Sequence, residues 1–387
     1  MVWALTGARV LTPQEEIASG TVVVEGGRIV AVGAHVRPPS QGQLLSLAGL
    51  TLVPGFIDLH VHGGNGYRLS TKDPAELQAY ARWVVSRGVT GFLASIAAAG
   101  HAEALDYLKT AASVCGPLAR GASLLGIHLE GPFISAAHRG ALPPTWPRDP
   151  SLEELEAYLE AAGGHLRLLT LAPELSEARA VMEVALNSGV AVAMGHTDAS
   201  YAEAKGALEA GISLVTHVYN AMRPFHHRDP GPVAAALESP GVVAEVIADG
   251  VHVHPAAVRL LLRAKGALQV ALVTDGSPLA GLSEGIFHLW GQEVRLAAGR
   301  ATLADGTLAG SALTMDRLVA NLVEWGDCSL QEAVTMATSV PARVLGLAGY
   351  KGRIAPGYDA DLVALDDSLE VVMTWVGGEL VYQRPRP

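Results

Sequence analysis

The middle of the chain alternates short apolar runs with runs rich in Ala, Leu, Glu and Arg, and this rhythm restricts the fold. Eight apolar runs of strand length occupy residues 51–58, 88–95, 124–130, 166–172, 190–195, 213–216, 242–248 and 268–274. Helical runs lie between them, for example at residues 74–87, 152–162, 174–188 and 199–210. Continuous apolar strands alternating with helices are typical of α/β folds with a buried parallel sheet. Eight repeats favour a (β/α)₈ TIM-like barrel, with an open doubly wound sheet as the alternative.

Both ends of the chain have a different, strand-rich pattern. Residues 21–24 and 28–32 flank Gly26 and Gly27, which is a hairpin signal, and residues 361–365 and 371–376 again read as strands. We expect both termini to build one small β-sandwich domain, with two independent β decorations as the alternative. The predicted domains are the small domain at residues 1–50 and 349–387 and the barrel at residues 51–348.

Composition removes several classes of function. Hydrophobic residues make up 50% of the chain and charged residues 17%, enough for a large core. The net charge of -11, without any Lys/Arg-rich run, argues against a nucleic-acid partner. Cys115 and Cys328 are the two cysteines, so a disulfide framework is excluded. We read neither a signal peptide nor an apolar run of the roughly 20 residues that a membrane span requires, and we predict a soluble cytoplasmic protein.

Reactive side chains recur where the predicted strands end. The set comprises four histidines and two carboxylates, namely His60, His62, Glu130, His196, His217 and Asp275. In a barrel the carboxyl ends of all strands open on one face, so we expect these side chains to converge there. Each residue alone has an ordinary explanation as a core or rim residue, but the recurrence at successive strand ends favours a metal site.

The ligand types indicate which metals and which chemistry fit. His60 and His62 are two residues apart on an extended segment, so both side chains project to the same side. Nitrogen and oxygen ligands suit Zn²⁺ or Fe²⁺, with Mn²⁺ or Co²⁺ as alternatives. Such a metal would acidify water and polarise a carbonyl, and a carboxylate would pass the water proton to a leaving nitrogen. Asp275 is the candidate for this role, unless it is a plain ligand or a helix cap.

Several motifs carry a resemblance to a known family. Residues 54–63 (PGFIDLHVHG) resemble the first metal motif of the metal-dependent amidohydrolase superfamily. The N-acetylglucosamine-6-phosphate deacetylase family of that superfamily is similar at residues 126–133 (GIHLEGPF), 195–199 (GHTDA), 216–222 (THVYNAM), 247–252 (IADGVH), 308–315 (LAGSALTM) and 352–362 (GRIAPGYDADL). The resemblance covers essentially the whole chain. It implies hydrolysis of N-acetyl-D-glucosamine 6-phosphate to D-glucosamine 6-phosphate and acetate.

The resemblance also implies roles for the strand-end residues. Glu130, His196 and His217 would be the metal ligands common to the family, and Asp275 would be the catalytic acid/base. His60 and His62 would complete a second metal position bridged by Glu130. We therefore expect one or two divalent metal ions per subunit. In the one-metal alternative the histidine pair lines the pocket.

A further set of residues would bind the phosphorylated N-acetyl amino sugar. By resemblance and position this set is Ala141, Asn220, Ala221, Arg228, His252, Leu308, Ala309 and Gly310. In the family the arginine reaches the neighbouring subunit's site, which implies a homodimer. Arg228 suits this role because a guanidinium can bind phosphate with two parallel hydrogen bonds.

One position departs from the family pattern. Leu142 stands where the family often has a histidine that binds the acetyl carbonyl, and its side chain cannot donate a hydrogen bond. The metal or another donor, such as nearby His138 or Arg139, must then stabilise the oxyanion.

Three other functions are alternatives. The first is deacetylation of N-acetylgalactosamine 6-phosphate, and the second is hydrolysis of another cyclic or linear amide. Cyclic-amide hydrolases of the superfamily usually bridge two metals with a carboxylated lysine, and no lysine stands at such a strand end here. The third is a non-catalytic scaffold, which the presence of every expected ligand disfavours.

Overall fold

The computed structural model describes residues 2–97, 100–326 and 328–385. The first strands are β1 (Val2–Leu11), β2 (Glu16–Glu25), β3 (Arg28–Gly33), β4 (Gln43–Ser46) and β5 (Thr51–Pro54). Strands β2 and β3 form the predicted hairpin across Gly26 and Gly27, whose φ angles of 58° and 83° suit a tight turn between antiparallel strands. Strand β1 pairs antiparallel with β2 and parallel with β4 and β5.

The barrel follows directly. Its strands, with a short β7–β8 hairpin after the first, are β6 (Phe56–Asp58), β7 (Gly63–Gly64), β8 (Tyr67–Arg68), β9 (Val89–Ile96), β10 (Ser123–Glu130), β11 (Leu166–Leu171), β12 (Ala191–Met194), β13 (Leu214–Val215), β14 (Val243–Val246) and β15 (Val270–Leu272). The eight barrel strands are parallel and lie side by side in chain order. Beyond the last strand, Asp275 N donates to His60 O at 2.8 Å, which brings the two edges together. The predicted (β/α)₈ architecture is confirmed.

One predicted strand divides into two. Residues 51–58 were expected to form a single barrel strand, but Thr51–Pro54 pairs with β1 in the terminal sheet and only Phe56–Asp58 enters the barrel. The change of sheet falls at Gly55, where the backbone passes close to β9. A Cβ at this position would lie 2.2 Å from Thr90 Oγ1, so a side chain does not fit. That prediction is wrong in its first half. The domain limits after residues 50 and 348 stay predictions, and the place of β5 favours moving the first of them to Gly55.

Helices surround the barrel, and five of those described begin with a side-chain N-cap. They are α1 (Pro74–Val84), α2 (His101–Ala112), α3 (Leu152–Ala161), α4 (Ala178–Asn187), α5 (Tyr201–Glu209), α6 (Gly231–Glu238), α7 (Pro255–Lys265), α8 (Met315–Glu324), α9 (Leu330–Ala337) and α10 (Ser339–Val344). Single 3₁₀ turns lie at Val85–Arg87, Ala136–His138 and Ala267–Gln269. Ser200 with Glu203 forms a capping box that satisfies the first N–H groups of α5. No helix within the described ranges is long and apolar enough to cross a membrane.

An antiparallel sheet of four strands is inserted between the barrel and α8. Its strands are β16 (Gly285–Leu289), β17 (Gln292–Ala297), β18 (Arg300–Thr302) and β19 (Leu308–Ser311). Trp290 and Gly291 form the turn between the first two strands, with φ angles of 50° and 75°. The sequence analysis did not predict this sheet.

The last strands return to the first sheet. They are β20 (Leu362–Leu365), β21 (Val371–Val376) and β22 (Glu379–Gln383), and β20 pairs antiparallel with β5. The sheet also curls on itself, since Ile29 N donates to Tyr358 O and Ala360 N donates to Gly27 O, both at 2.8 Å. A separate apolar core that includes Trp375 fills its interior. The prediction that both termini share one small β domain is confirmed.

Candidate active site

Glu130 lies at the centre of the predicted ligands. It ends β10 and is buried, with 6% of its surface exposed. Its Oε1 atom lies 3.0, 3.2 and 3.3 Å from the Nε2 atoms of His60, His196 and His217, respectively. Its Oε2 atom lies 3.1 Å from His62 Nε2. The structure therefore brings all five predicted metal ligands into one cluster.

The donor set of this cluster fits a divalent cation. His196 Nδ1 must be a donor, because its partner at 2.8 Å is the backbone carbonyl of His138. In a neutral imidazole the Nε2 atom then carries a lone pair, and it faces a carboxylate oxygen of Glu130 and His217 Nε2 at 3.2 Å. Lone pairs that converge in this way repel one another, and a cation bound between them would remove this repulsion. His60 Nε2 and His62 Nε2, 3.3 Å apart, form a similar pair on the other side of the carboxylate.

Asp275 lies at the edge of the same cluster. Its Oδ1 atom is 3.4 Å from His62 Nε2 and 3.6 Å from His60 Nε2. Burial raises the pKa of Asp275, but the hydrogen bond with His62 and the charges of both histidines outweigh burial and bring the pKa below its usual value. The carboxylate is thus ionised at neutral pH and can accept a proton.

The backbone of the strand-end residues is strained. His196, His217 and Asp275 have φ angles of 50°, 28° and 45°, in a region that residues other than glycine rarely adopt. Each such residue costs on the order of 1–3 kcal/mol, and such strain concentrates at functional sites. The surrounding barrel holds these residues in conformations that direct their side chains toward Glu130.

Two buried carboxylates that the sequence analysis did not single out support the ligands. Glu245, from the middle of β14, has its Oε2 atom 3.2 Å from both His60 Nδ1 and the backbone N–H of His217. Asp58 Oδ2 accepts the Thr274 hydroxyl at 2.6 Å and ties β6 to the end of β15. Burial raises the pKa of Asp58 to about 7, against the opposing hydrogen bonds from Thr274 and His60. A lone charged residue in the apolar run 242–248 was the signal for Glu245.

A cavity of about 210 Å³ opens over the cluster. The predicted substrate-binding residues that line it are Ala141, Asn220, Ala221, His252, Leu308 and Gly310. His252 Nδ1 lies 2.7 Å from Asp249 Oδ2, which also accepts the Ser311 hydroxyl at 3.0 Å. Burial lowers the pKa of His252, but the hydrogen bond and charge of Asp249 raise it above its ordinary value. An imidazole whose protonated form is favoured by Asp249 therefore faces this cavity.

Two predicted substrate-binding residues, both in the described part of the chain, do not line this cavity. Ala309 is buried in the core of the inserted sheet, so only its neighbours Leu308 and Gly310 line the wall. Arg228 lies in an exposed loop, with Nη1 2.8 Å from His227 Nε2. A phosphate contact by Arg228 would have to be made in another subunit.

Leu142, at the position of the family histidine, belongs to an apolar cluster beside the cavity. It packs with Ala97, Ile134 and Trp146, and Trp290 of the inserted sheet packs against this cluster. Arg139 lines the cavity nearby and donates to the Leu142 carbonyl at 2.5 Å. The wall beside the metal ligands is thus apolar here, with Arg139 at its edge.

The barrel and its cluster of histidines and carboxylates define a metal-dependent hydrolase of the amidohydrolase type. Residues 51–381 match the model of the amidohydrolase family. The chain belongs to this family, as its sequence motifs predicted.

The comparisons point to one branch of that family. The chain is 36% identical to the N-acetylglucosamine-6-phosphate deacetylase of Bacillus subtilis (strain 168), over 96% of this chain and 95% of the relative. It is 34% identical to the N-acetylgalactosamine-6-phosphate deacetylase of Escherichia coli O157:H7, over 98% and 99% of the two chains. The crystal structure of N-acetyl-D-glucosamine-6-phosphate deacetylase from Mycobacterium smegmatis superposes with a TM-score of 0.90 at 37% identity, covering 98% of this chain and 100% of that one.

Proposed function

We propose that the protein hydrolyses the N-acetyl group of N-acetyl-D-glucosamine 6-phosphate to give D-glucosamine 6-phosphate and acetate. The observation that carries this proposal is the convergence of four histidines on Glu130, with Asp275 beside them, in a cavity that His252 also lines. The near full-length similarity to deacetylases of this sugar phosphate supports the same substrate.

The residues divide the chemical work between binding a metal and moving a proton. Glu130, His196 and His217 would hold a divalent cation, and His60 and His62 would be available to hold a second one. When bound, such a cation polarises a carbonyl and acidifies water. Asp275, ionised and 3.4 Å from a ligand nitrogen, accepts the proton of the attacking water and then donates it to the departing amine nitrogen. Zn²⁺ or Fe²⁺ is the metal that we propose.

The sugar phosphate would lie on the side of the cavity away from the His60/His62 pair. His252, when protonated, would offer a positive charge to the phosphate, and the backbone N–H of Ala221 would offer a further hydrogen bond, since that of Asn220 already donates to His217 O at 3.0 Å. We also propose a homodimer in which exposed Arg228 enters the cavity of the neighbouring subunit, since it does not line the cavity of its own.

Metal analysis combined with acetate release from a panel of sugars tests this proposal. The panel contains N-acetylglucosamine 6-phosphate, N-acetylgalactosamine 6-phosphate and unphosphorylated N-acetylglucosamine. We expect a bound divalent metal and the highest kcat/KM for the first sugar. Preference for the second sugar would favour the galactosamine epimer, which the Escherichia coli relative makes the second candidate. Equal activity on the unphosphorylated sugar would contradict a phosphate site.

A further inference from the structure

A second, larger cavity adjoins the proposed substrate cavity. Its volume is about 510 Å³, against about 210 Å³ for the first. His62 and Trp290 line both cavities. The second cavity therefore reaches the metal centre on the His62 side and is bordered there by the ring of Trp290.

Trp290 is held in this position by the inserted sheet. It occupies the turn between β16 and β17 at a φ of 50°. Its ring packs edge-on to His62, with centroids 6.2 Å apart, and against Trp146 at 5.9 Å. The hairpin turn thus delivers a large rigid side chain to a predicted metal ligand.

The position of the proposed substrate assigns a direction to the acyl group. The residues proposed to hold the sugar phosphate, including Asn220, His252 and Leu308, line the first cavity and not the second. An amide carbon near Glu130 has the sugar nitrogen on that side, so its acyl substituent points the other way. That direction leads to the apolar surface of Leu142, Trp146 and Trp290.

We propose that Trp290 sets the upper length of the N-acyl group that the enzyme removes. When this side chain is replaced by a smaller one, the second cavity receives longer acyl chains. The inference rests on the proposed deacetylase function. Ala97, Trp146 and Leu289 contribute apolar wall to the second cavity, which Arg68, Glu103 and His288 also line. These walls suit a linear alkyl chain, and each misplaced methylene in such a pocket changes kcat/KM by about tenfold or more.

The test compares kcat/KM for the N-acetyl, N-butyryl and N-hexanoyl forms of glucosamine 6-phosphate. The reaction is measured as release of glucosamine 6-phosphate. We expect the wild-type protein to lose at least about tenfold from acetyl to butyryl, and Trp290→Ala to reduce or reverse that preference by about tenfold. Trp290→Leu gives a second variant if the alanine variant does not fold. Ile286→Ala is the matched control, because Ile286 lies on the same hairpin and is 65% exposed.

A binding measurement separates acyl recognition from turnover. In an Asp275→Asn background, calorimetry should show that Trp290→Ala tightens binding of the N-butyryl substrate relative to the N-acetyl one. The inference is overturned if the wild-type protein has equal kcat/KM for the butyryl and acetyl substrates. It is also overturned if Trp290→Ala lowers kcat/KM for all substrates by the same factor, or if Ile286→Ala has the same effect as Trp290→Ala. Absence of acetate release from the wild-type protein is a different result, because it overturns the proposed function itself.

Discussion

Glu245 Oε2 lies 3.2 Å from His60 Nδ1, and both side chains are fully buried inside the barrel. An ionised carboxylate can only accept hydrogen bonds. Nδ1 is therefore the nitrogen of His60 that carries the proton and donates to Glu245. The Nε2 atom of His60 is then free to face Glu130. Carboxylates behind a ligating histidine commonly fix its orientation and raise its basicity.

We therefore expect Glu245→Gln to weaken metal binding by about 10- to 100-fold. Competition with a metal indicator, combined with elemental analysis, measures this loss. Glu183→Gln, a change in an exposed ion pair on the barrel surface, is the control and should bind metal normally. Unaltered affinity in the Glu245 variant would show that this carboxylate does not orient the ligand.

Asp275→Asn should abolish turnover while leaving metal bound. The amide has no basic oxygen for the water proton, and loss of a general base typically lowers the rate about 10²- to 10⁴-fold. Acetate release and metal content are measured on the same preparation, with exposed Asp367→Asn as control. Normal turnover would refute the proton-transfer role, and loss of metal would make Asp275 chiefly a ligand.

The Asp249–His252 pair predicts how substrate binding depends on pH. Asp249 raises the pKa of His252, so the imidazole keeps its charge to higher pH than an ordinary histidine. Phosphate binding through His252 should weaken as pH rises through that pKa. In Asp249→Asn the pKa falls, and the rise in KM should move to lower pH. Profiles of KM against pH that coincide for both proteins would exclude this pairing as the phosphate determinant.

Arg228→Ala should raise KM about tenfold or more for the phosphorylated sugar, because hydrogen bonds to charged groups are worth about 1.5–3 kcal/mol. Unphosphorylated N-acetylglucosamine should be unaffected. Arg179→Ala, which removes another exposed arginine, is the matched control. An equal effect on both sugars would argue against a phosphate contact.

Mixing two inactive or impaired variants tests whether Arg228 acts in the neighbouring subunit. In a heterodimer of Asp275→Asn and Arg228→Ala, one site has its own Asp275 and receives Arg228 from the other subunit. Denaturing and refolding the mixture should restore low-KM activity that neither variant has alone. Sedimentation velocity shows whether the protein is a dimer. If the mixture has no more low-KM activity than Arg228→Ala alone, Arg228 does not act in the site of the neighbouring subunit.

The close packing at Gly55, where the chain passes from the terminal sheet to the barrel, predicts that a larger residue there lowers the stability of the protein. Gly55→Ala would place a Cβ 2.2 Å from Thr90 Oγ1, and overpacking of this kind costs about 1–3 kcal/mol. Gly206→Ala is the opposite case, since its Cβ would meet nothing within 4 Å inside α5. That change should stabilise by up to about 1 kcal/mol. Thermal unfolding of the two variants should therefore shift in opposite directions.

The sequence predicted the barrel because each buried parallel strand is a continuous apolar run. The convergence of the predicted metal ligands could be anticipated because the strand ends of such a barrel open on one face, where His60, Glu130 and His217 meet. The split of residues 51–58 was missed because both halves are apolar, and the change of sheet at Gly55 depends on pairing with distant β20.

The missed side chains have a related cause. Trp290 approaches the site through an inserted hairpin whose strands alternate exposed and more buried residues, as at residues 293–296, and the sequence analysis did not use this strand pattern. Its position next to His62 follows from tertiary packing, which local pattern does not report. Glu245 was visible as a single acid in an apolar strand, but only the structure shows that it faces His60.

The joining of both termini in one sheet has a consequence for synthesis of the chain on the ribosome. Arg28 Nη1 donates to Gly357 O across 329 residues of sequence, and β5 can pair with β20 only after the whole barrel has been synthesised. Until then β5 presents an open apolar edge, the kind of surface that pairs with other chains. During barrel synthesis we therefore expect the first strands to be a part of the nascent chain that is exposed to wrong pairing.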